Sequence, residues 1–226
     1  GLKFHATPQH VYLTQSMAAF GNFASALSVF CSELTKMSND LMFLSSGPKA
    51  GWHEIILPEV EPGSSIMPGK INPSVVEAFK MVCLQVKGYC SVVTSTVSEG
   101  NLQLNIFAPL AGYNLFQSLE LLCKGMNMLR VFCLNGIKAD QKRIKELFDS
   151  SLCTATALNP YIGYARTAEL VKESLKRKKS LQEIVLEKQL FEKKDLDSIL
   201  NPFKLTSPQI VDKTLQEKVS RRLRKK

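Results

Sequence analysis

The stretch SVVEAFKMVCLQVKGYCSVVTSTV, Ser74 to Val97, decides the fold, because its two halves favour different elements. The β-branched run SVVTSTV at its end has the composition of a strand. Yet Val76, Phe79, Cys83, Val86, Cys90, Val93 and Val97 recur at intervals of three and four, which is one face of a helix carried unbroken through that run. Continuity of the seam predicts helix throughout, starting just after Pro73.

Working outward, a second seam precedes it. Phe20, Phe23, Leu27, Phe30, Leu34, Met37, Leu41 and Leu44 alternate the same spacings, and Ser45-Ser46-Gly47-Pro48 closes the helix they imply, since proline cannot continue it. A third seam follows at Leu115, Leu119, Leu122, Met126, Leu129 and Cys133. Three long helices with heptad-like faces predict an all-α fold, a long-helix bundle. Three helices alone leave apolar surface over, and Phe20, Phe23, Leu27 and Phe30 ask for neighbours from outside the chain, so oligomerisation or membership of a longer protein is expected.

Asn135-Gly136 marks a break, after which Asp140 is placed to cap a short amphipathic helix carrying Ile144, Leu147 and Phe148. From about Leu152 the texture changes to short basic segments. Asn159-Pro160 opens one helix, Ser180-Leu181-Gln182-Glu183 has the form of a capping box, and the helix in EKKDLDSIL stops at Asn201-Pro202. The expected division is a helical-bundle domain over 1–151 and a small all-helical domain over 152–226.

Bulk properties exclude several classes. With 226 residues, 45% of them apolar and 22% charged, the chain is globular and not disordered. No segment is long and charge-free enough to span a membrane, and Gly1 to His5 lack a signal-peptide layout, so a cytoplasmic address is expected. The six cysteines form no CxxC pair and have no histidine at metal-ligand spacing, so they read as small core residues in a reducing compartment. No cofactor and no metal is expected. The net charge of +9 arises wholly after residue 137, where 21 Lys/Arg face 12 Asp/Glu, against eight of each before it. The terminal RRLRKK has no interleaved aromatics and reads as a solvated end, so neither nucleic acid nor membrane is expected as a partner.

Between the first two helices lies EPGSSIMPGKINP, Glu61 to Pro73, with three prolines and two glycines. Such composition is ordinary interhelical punctuation. It is also that of an anion-binding loop: Gly63 and Gly69 allow backbone amides to approach a ligand, while Lys70 offers a charge and Asn72 a neutral donor, a pair suited to a carboxylate. The serines offer a nucleophile or a base.

The string resembles the GSSxMPxKxNP signature of the fumarase/aspartase superfamily of lyases, with Gly63, Ser64, Ser65, Met67, Pro68, Lys70, Asn72 and Pro73 at every fixed position. The likeness extends through NDLMFLSSGPKAG before the loop, LQLNIFAP after the second helix and TALNPYIGY beyond it. It implies an anti β-elimination giving fumarate from a succinyl-type substrate. Ser64 would be the base, Lys70 and Asn72 would hold the carboxylates of a small dicarboxylate, and Ser65, Met67 and Gly69 would shape the loop. Glu61 would either modulate the site or be a solvated charge. It further implies that this chain corresponds to the C-terminal half of a longer protein, starting inside the central domain, and that sites are assembled from three subunits of a homotetramer. His5, His10 and His53 match no residue expected to act.

Within the family, Thr14-Gln15-Ser16, Leu102 to Asn105 and LDSILNPFKLTSP resemble aspartate ammonia-lyases, whereas EPGSSIMPGK and EAFKMVCLQVKG look more like class II fumarases. The first is favoured narrowly. Tyr89 after Gly88, and Ala108 before Pro109, depart from both. A non-catalytic helical assembly module remains the alternative of another class.

Overall fold

The computed structural model describes residues 1–63, 66, 67, 69–208 and 210–224. It divides into two compact units, Gly1–Asp140 and Gln141–Lys226.

In the first unit, α1 (His10–Gln15) precedes the long helices α2 (Ala18–Leu44), α3 (Ser74–Ser95) and α4 (Ala108–Phe132). The β-branched end of α3 stays helical and tightens into a 3-10 turn at Thr96–Ser98. Its hydroxyls explain how: Thr94 and Ser95 each donate to the Ser91 carbonyl at 2.9 Å, and Thr96 to that of Val93 at 2.7 Å, so the side chains bond back into the helix.

α3 packs along both α2 and α4, and the seam from Val76 to Val93 is accordingly buried at every expected position. Only Val97, the seventh, is partly exposed, at 39%. The flanking helices correct the sequence reading. In α2 the buried stripe is Gly21, Ala24, Leu27, Cys31 and Ser38, while Phe20, Phe23 and Phe30 remain 43–48% exposed. Small residues leave room at this face; a Cβ on Gly21 would stand 2.5 Å from Cγ2 of Val97, in the 3-10 turn that follows α3. In α4 the same substitution of small for large occurs: Ser118 and Gly125 are buried where Leu119 and Met126 were expected.

Two connections fix the ends. The Asn105 side chain donates to the carbonyls of Thr96 and Glu99 at 2.9 and 2.8 Å and accepts from the Phe107 amide at 2.9 Å, while its own backbone N–H donates to Thr14. This ties the end of α1 to the turn between α3 and α4. The α2–α3 connection carries a two-residue strand, β1 (Ile55–Ile56), paired antiparallel with β2 (Lys138–Ala139), with Ile55 opposite Ala139. The Glu54 amide donates to Leu44 and the Asp140 amide to Glu54, so the connection is held at both ends.

The second unit contains α5 (Gln141–Ser150), α6 (Asn159–Ile162), α7 (Tyr164–Arg177), α8 (Leu181–Glu187), α9 (Lys193–Ile199), α10 (Pro202–Leu205) and α11 (Lys213–Arg224) around a core that includes Leu158, Leu181, Ile184, Leu196 and Val219. The capping box at Ser180 and Glu183 is formed, with both reciprocal bonds present. Asn201 does more than stop α9: its side chain accepts from the Phe203 amide and starts α10. Compactness groups α5 with this unit, whereas the change of sequence texture falls at Leu152.

Cys31, Cys83, Cys90 and Cys133 are buried, but Cys123 and Cys153 lie at the surface, and all six are free thiols. Among the described residues no helix is long and apolar enough to cross a membrane.

Candidate functional site

The loop after β1 closes on itself through backbone before any side chain acts. A Cβ on Gly63 would stand 1.6 Å from the Lys70 carbonyl oxygen, so the two legs of the loop meet where only glycine fits. The Asn72 side-chain amide donates to the Gly63 carbonyl at 2.6 Å and fastens the same junction. At the tip, the Lys70 amide donates to the Met67 carbonyl at 3.2 Å, and Gly69 takes φ +75°, the left-handed region that favours glycine. Glu61 accepts a hydrogen bond from the Ser74 hydroxyl at the first turn of α3, which anchors the entry leg to the helix that follows.

Lys70 is exposed and makes no ion pair among the described residues. Its leg of the loop lines a cavity of about 580 Å³ whose opposite wall is the segment from Ser45 to Leu57. Lys70, Asn72, Ser45 and His53 are the polar side chains of that lining, and no carboxylate is among them. α3 starts at Ser74, next to the lining residue Pro73, and the carboxylates of Glu61 and Glu77 stand at its first turn, where they offset the positive potential of its N–H groups. The lining itself offers one cation and neutral donors, a set suited to a small anion.

The structure thus brings Lys70 and Asn72 to one cavity, but turns the Asn72 amide onto the loop's own carbonyl. Ser64, expected as the base, lies outside the described residues, as does Ser65. Met67 is half-exposed and contributes backbone, and Gly69 has open space around it. Sequence reasoning passed over Ser45, Gly47 and His53, which form the facing wall. The available signals were the Gly-Pro break and the compact GPKAGWHEI segment, but nothing local connects them with a loop many residues downstream.

A sequence model described as Lyase matches residues 1–88, and one described as Fumarase C C-terminus matches residues 155–207. An aspartate ammonia-lyase of Helicobacter pylori is 42% identical over 195 residues, covering 86% of this chain and 42% of that protein. A class II fumarate hydratase of Brucella suis is 41% identical over 209 residues, covering 92% of this chain and 45% of that one. The chain belongs to the fumarase/aspartase superfamily. A crystal structure of a fumarate lyase:delta crystallin from Brucella melitensis matches with a TM-score of 0.84 and 40% identity over 92% of this chain and 45% of its own. The chain therefore spans less than half the length of the superfamily relatives it matches. The superfamily's loop signature coincides with the segment closed here by Gly63 and Asn72.

Proposed function

We propose that this chain supplies one wall of a lyase site that catalyses reversible anti β-elimination to fumarate, with L-aspartate as substrate and ammonia as the leaving group. The observation that carries the reading is an ammonium group without an ion pair among the described residues, Lys70, which lines with Asn72 a cavity whose lining holds no carboxylate, on a loop that fills every fixed position of the superfamily signature.

In that reaction Ser64, assigned from the signature alone, takes a proton from the carbon next to one carboxylate. The electron pair left behind moves into that carboxylate, which becomes an aci-carboxylate with an added negative charge. Lys70 and the amide-rich loop stabilise this charge, which the ground state lacks, and so lower the barrier. Re-forming the carboxylate expels ammonia from the neighbouring carbon and leaves the double bond of fumarate. A serine hydroxyl is far too weak an acid to be ionised in water, so the site must surround its oxygen with donors and positive charge. The remaining walls come from other parts of a homotetramer. Six unpaired thiols support a reducing, cytoplasmic setting.

Class II fumarase activity, with water in place of ammonia, is the second reading, and near-equal identity to both kinds of relative favours keeping it. The test follows fumarate by ultraviolet absorbance with L-aspartate and with L-malate, on the protein as its source produces it. Turnover of aspartate supports the first reading, and turnover of malate alone replaces it by the second. Turnover of neither leaves a helical assembly module, for which the exposed apolar faces provide. Ser64→Ala should abolish turnover with the oligomer intact; undiminished turnover removes Ser64 as the base.

A further inference from the structure

We propose that His53 is a further carboxylate-binding residue of this cavity, acting on the side opposite Lys70. The inference rests on the dicarboxylate reading of the site and names a ligand group that the loop signature does not contain.

Three observations meet at His53. It lines the same cavity as Lys70 and Asn72, from the facing wall. It holds φ +53°, in the left-handed region that residues other than glycine adopt uncommonly. Its Nδ1 is buried and has no hydrogen-bond partner among the described residues. The other ring nitrogen, Nε2, stands 4.0 Å from Asp140 Oδ2, at the end of β2, so the ring has one end directed at an acid and the other unsatisfied.

A buried polar nitrogen without a partner destabilises the unliganded state, and a ligand that supplies the partner recovers that loss. Gly47 provides the space: a Cβ there would stand 3.0 Å from His53 Cβ and 3.4 Å from Nδ1, so a side chain at that position would crowd the imidazole. Nδ1 meets a ligand in the cavity only once the ring turns about the soft bond to Cβ, and among the described residues no hydrogen bond at Nδ1 opposes that turn. In the imidazolium form both nitrogens carry protons. One then faces Asp140 and the other donates to a carboxylate oxygen, while Lys70 pairs with the same anion from across the cavity. A neutral partner such as Asn72 could orient the ligand but could not balance a second negative charge, and His53 supplies what a dianion requires.

The experiment uses succinate, an unreactive four-carbon dicarboxylate, on the full 226-residue chain. Binding is measured by titration calorimetry, and His53 is followed by its ring-nitrogen resonances. His53→Asn is the variant of choice, because asparagine tolerates the left-handed backbone and keeps the fold, as circular dichroism verifies. Succinate should move the His53 Nδ1 resonance, and both His53→Asn and Lys70→Ala should weaken binding about tenfold. If succinate binding depends on Lys70 while His53→Asn binds as tightly as the parent and the resonance stays still, the inference is overturned and the dicarboxylate reading stands. If neither substitution changes what succinate does, or succinate does not bind, both are overturned.

Discussion

Gly63 and Lys70 touch through backbone, and backbone cannot swing aside. Alanine at Gly63 would force a methyl group into the Lys70 carbonyl, and the loop legs would part, carrying Lys70 and Asn72 out of register. We expect Gly63→Ala to lower turnover by about a hundredfold or more, as misplacement of reacting groups by about 1 Å does, while thermal unfolding shifts by only a few degrees. Asn72 gives a graded test of the same junction. Asn72→Ala removes the donor to the Gly63 carbonyl, whereas Asn72→Asp turns a charged acceptor towards it, so the aspartate variant should be the less active of the two in the fumarate assay. The junction of Gly63, Lys70 and Asn72 was legible in the sequence because these residues lie within one loop. The place of His53 on the facing wall was not, since the cavity's other wall begins at Gly69 and no spacing rule links residues so far apart.

At the scale of helices, periodicity revealed where α2, α3 and α4 run but not which face each buries. A helix packed along two neighbours, like α3, buries its large residues as their spacing suggests. A helix with a single intrachain neighbour can turn small residues inward, as α2 does with Gly21 and Ala24. Ala24→Leu should therefore overfill the α2–α3 contact and cost about 1–3 kcal/mol in urea unfolding, although leucine ranks next to alanine as a helix former. The thiols of this contact titrate accordingly. Burial, aided by Cys83 and Cys90, pushes the Cys31 thiol up to about 12 from an ordinary value of 9.0. The unfolded chain releases this proton near the ordinary value and the folded chain holds it, so its stabilising contribution is full below the ordinary value and is lost as pH rises towards about 12. The urea midpoint should fall between about pH 8 and about pH 10.5, and fall less in Cys31→Ala.

For the molecule as a whole, inward small residues leave large ones outside. Phe20, Phe23 and Phe30 on α2, Met81 and Leu84 on α3, and Tyr113 and Phe116 on α4 are all exposed, many more apolar side chains than isolated surface residues account for. Burying a fully exposed phenylalanine contributes about 1.5–3 kcal/mol, and the three on α2 are already more than half buried, so association of copies has to draw on the exposed side chains of α3 and α4 as well. The sequence seam of α2 is thus divided: Leu27, Leu34, Met37 and Leu41 pack into the intrachain core, whereas Phe20, Phe23 and Phe30 are left for a partner to cover. Phe23→Glu should place a charge in that contact without disturbing the α2–α3 core, because Phe23 lies off the stripe formed by Gly21, Ala24 and Cys31. Light scattering after size-exclusion chromatography should find the parent as an oligomer and the variant as a monomer with unchanged helical circular dichroism. If the variant keeps the parent's mass, the α2 face is not the assembly surface, and a site completed by neighbouring subunits would have to be built through α3 and α4 instead.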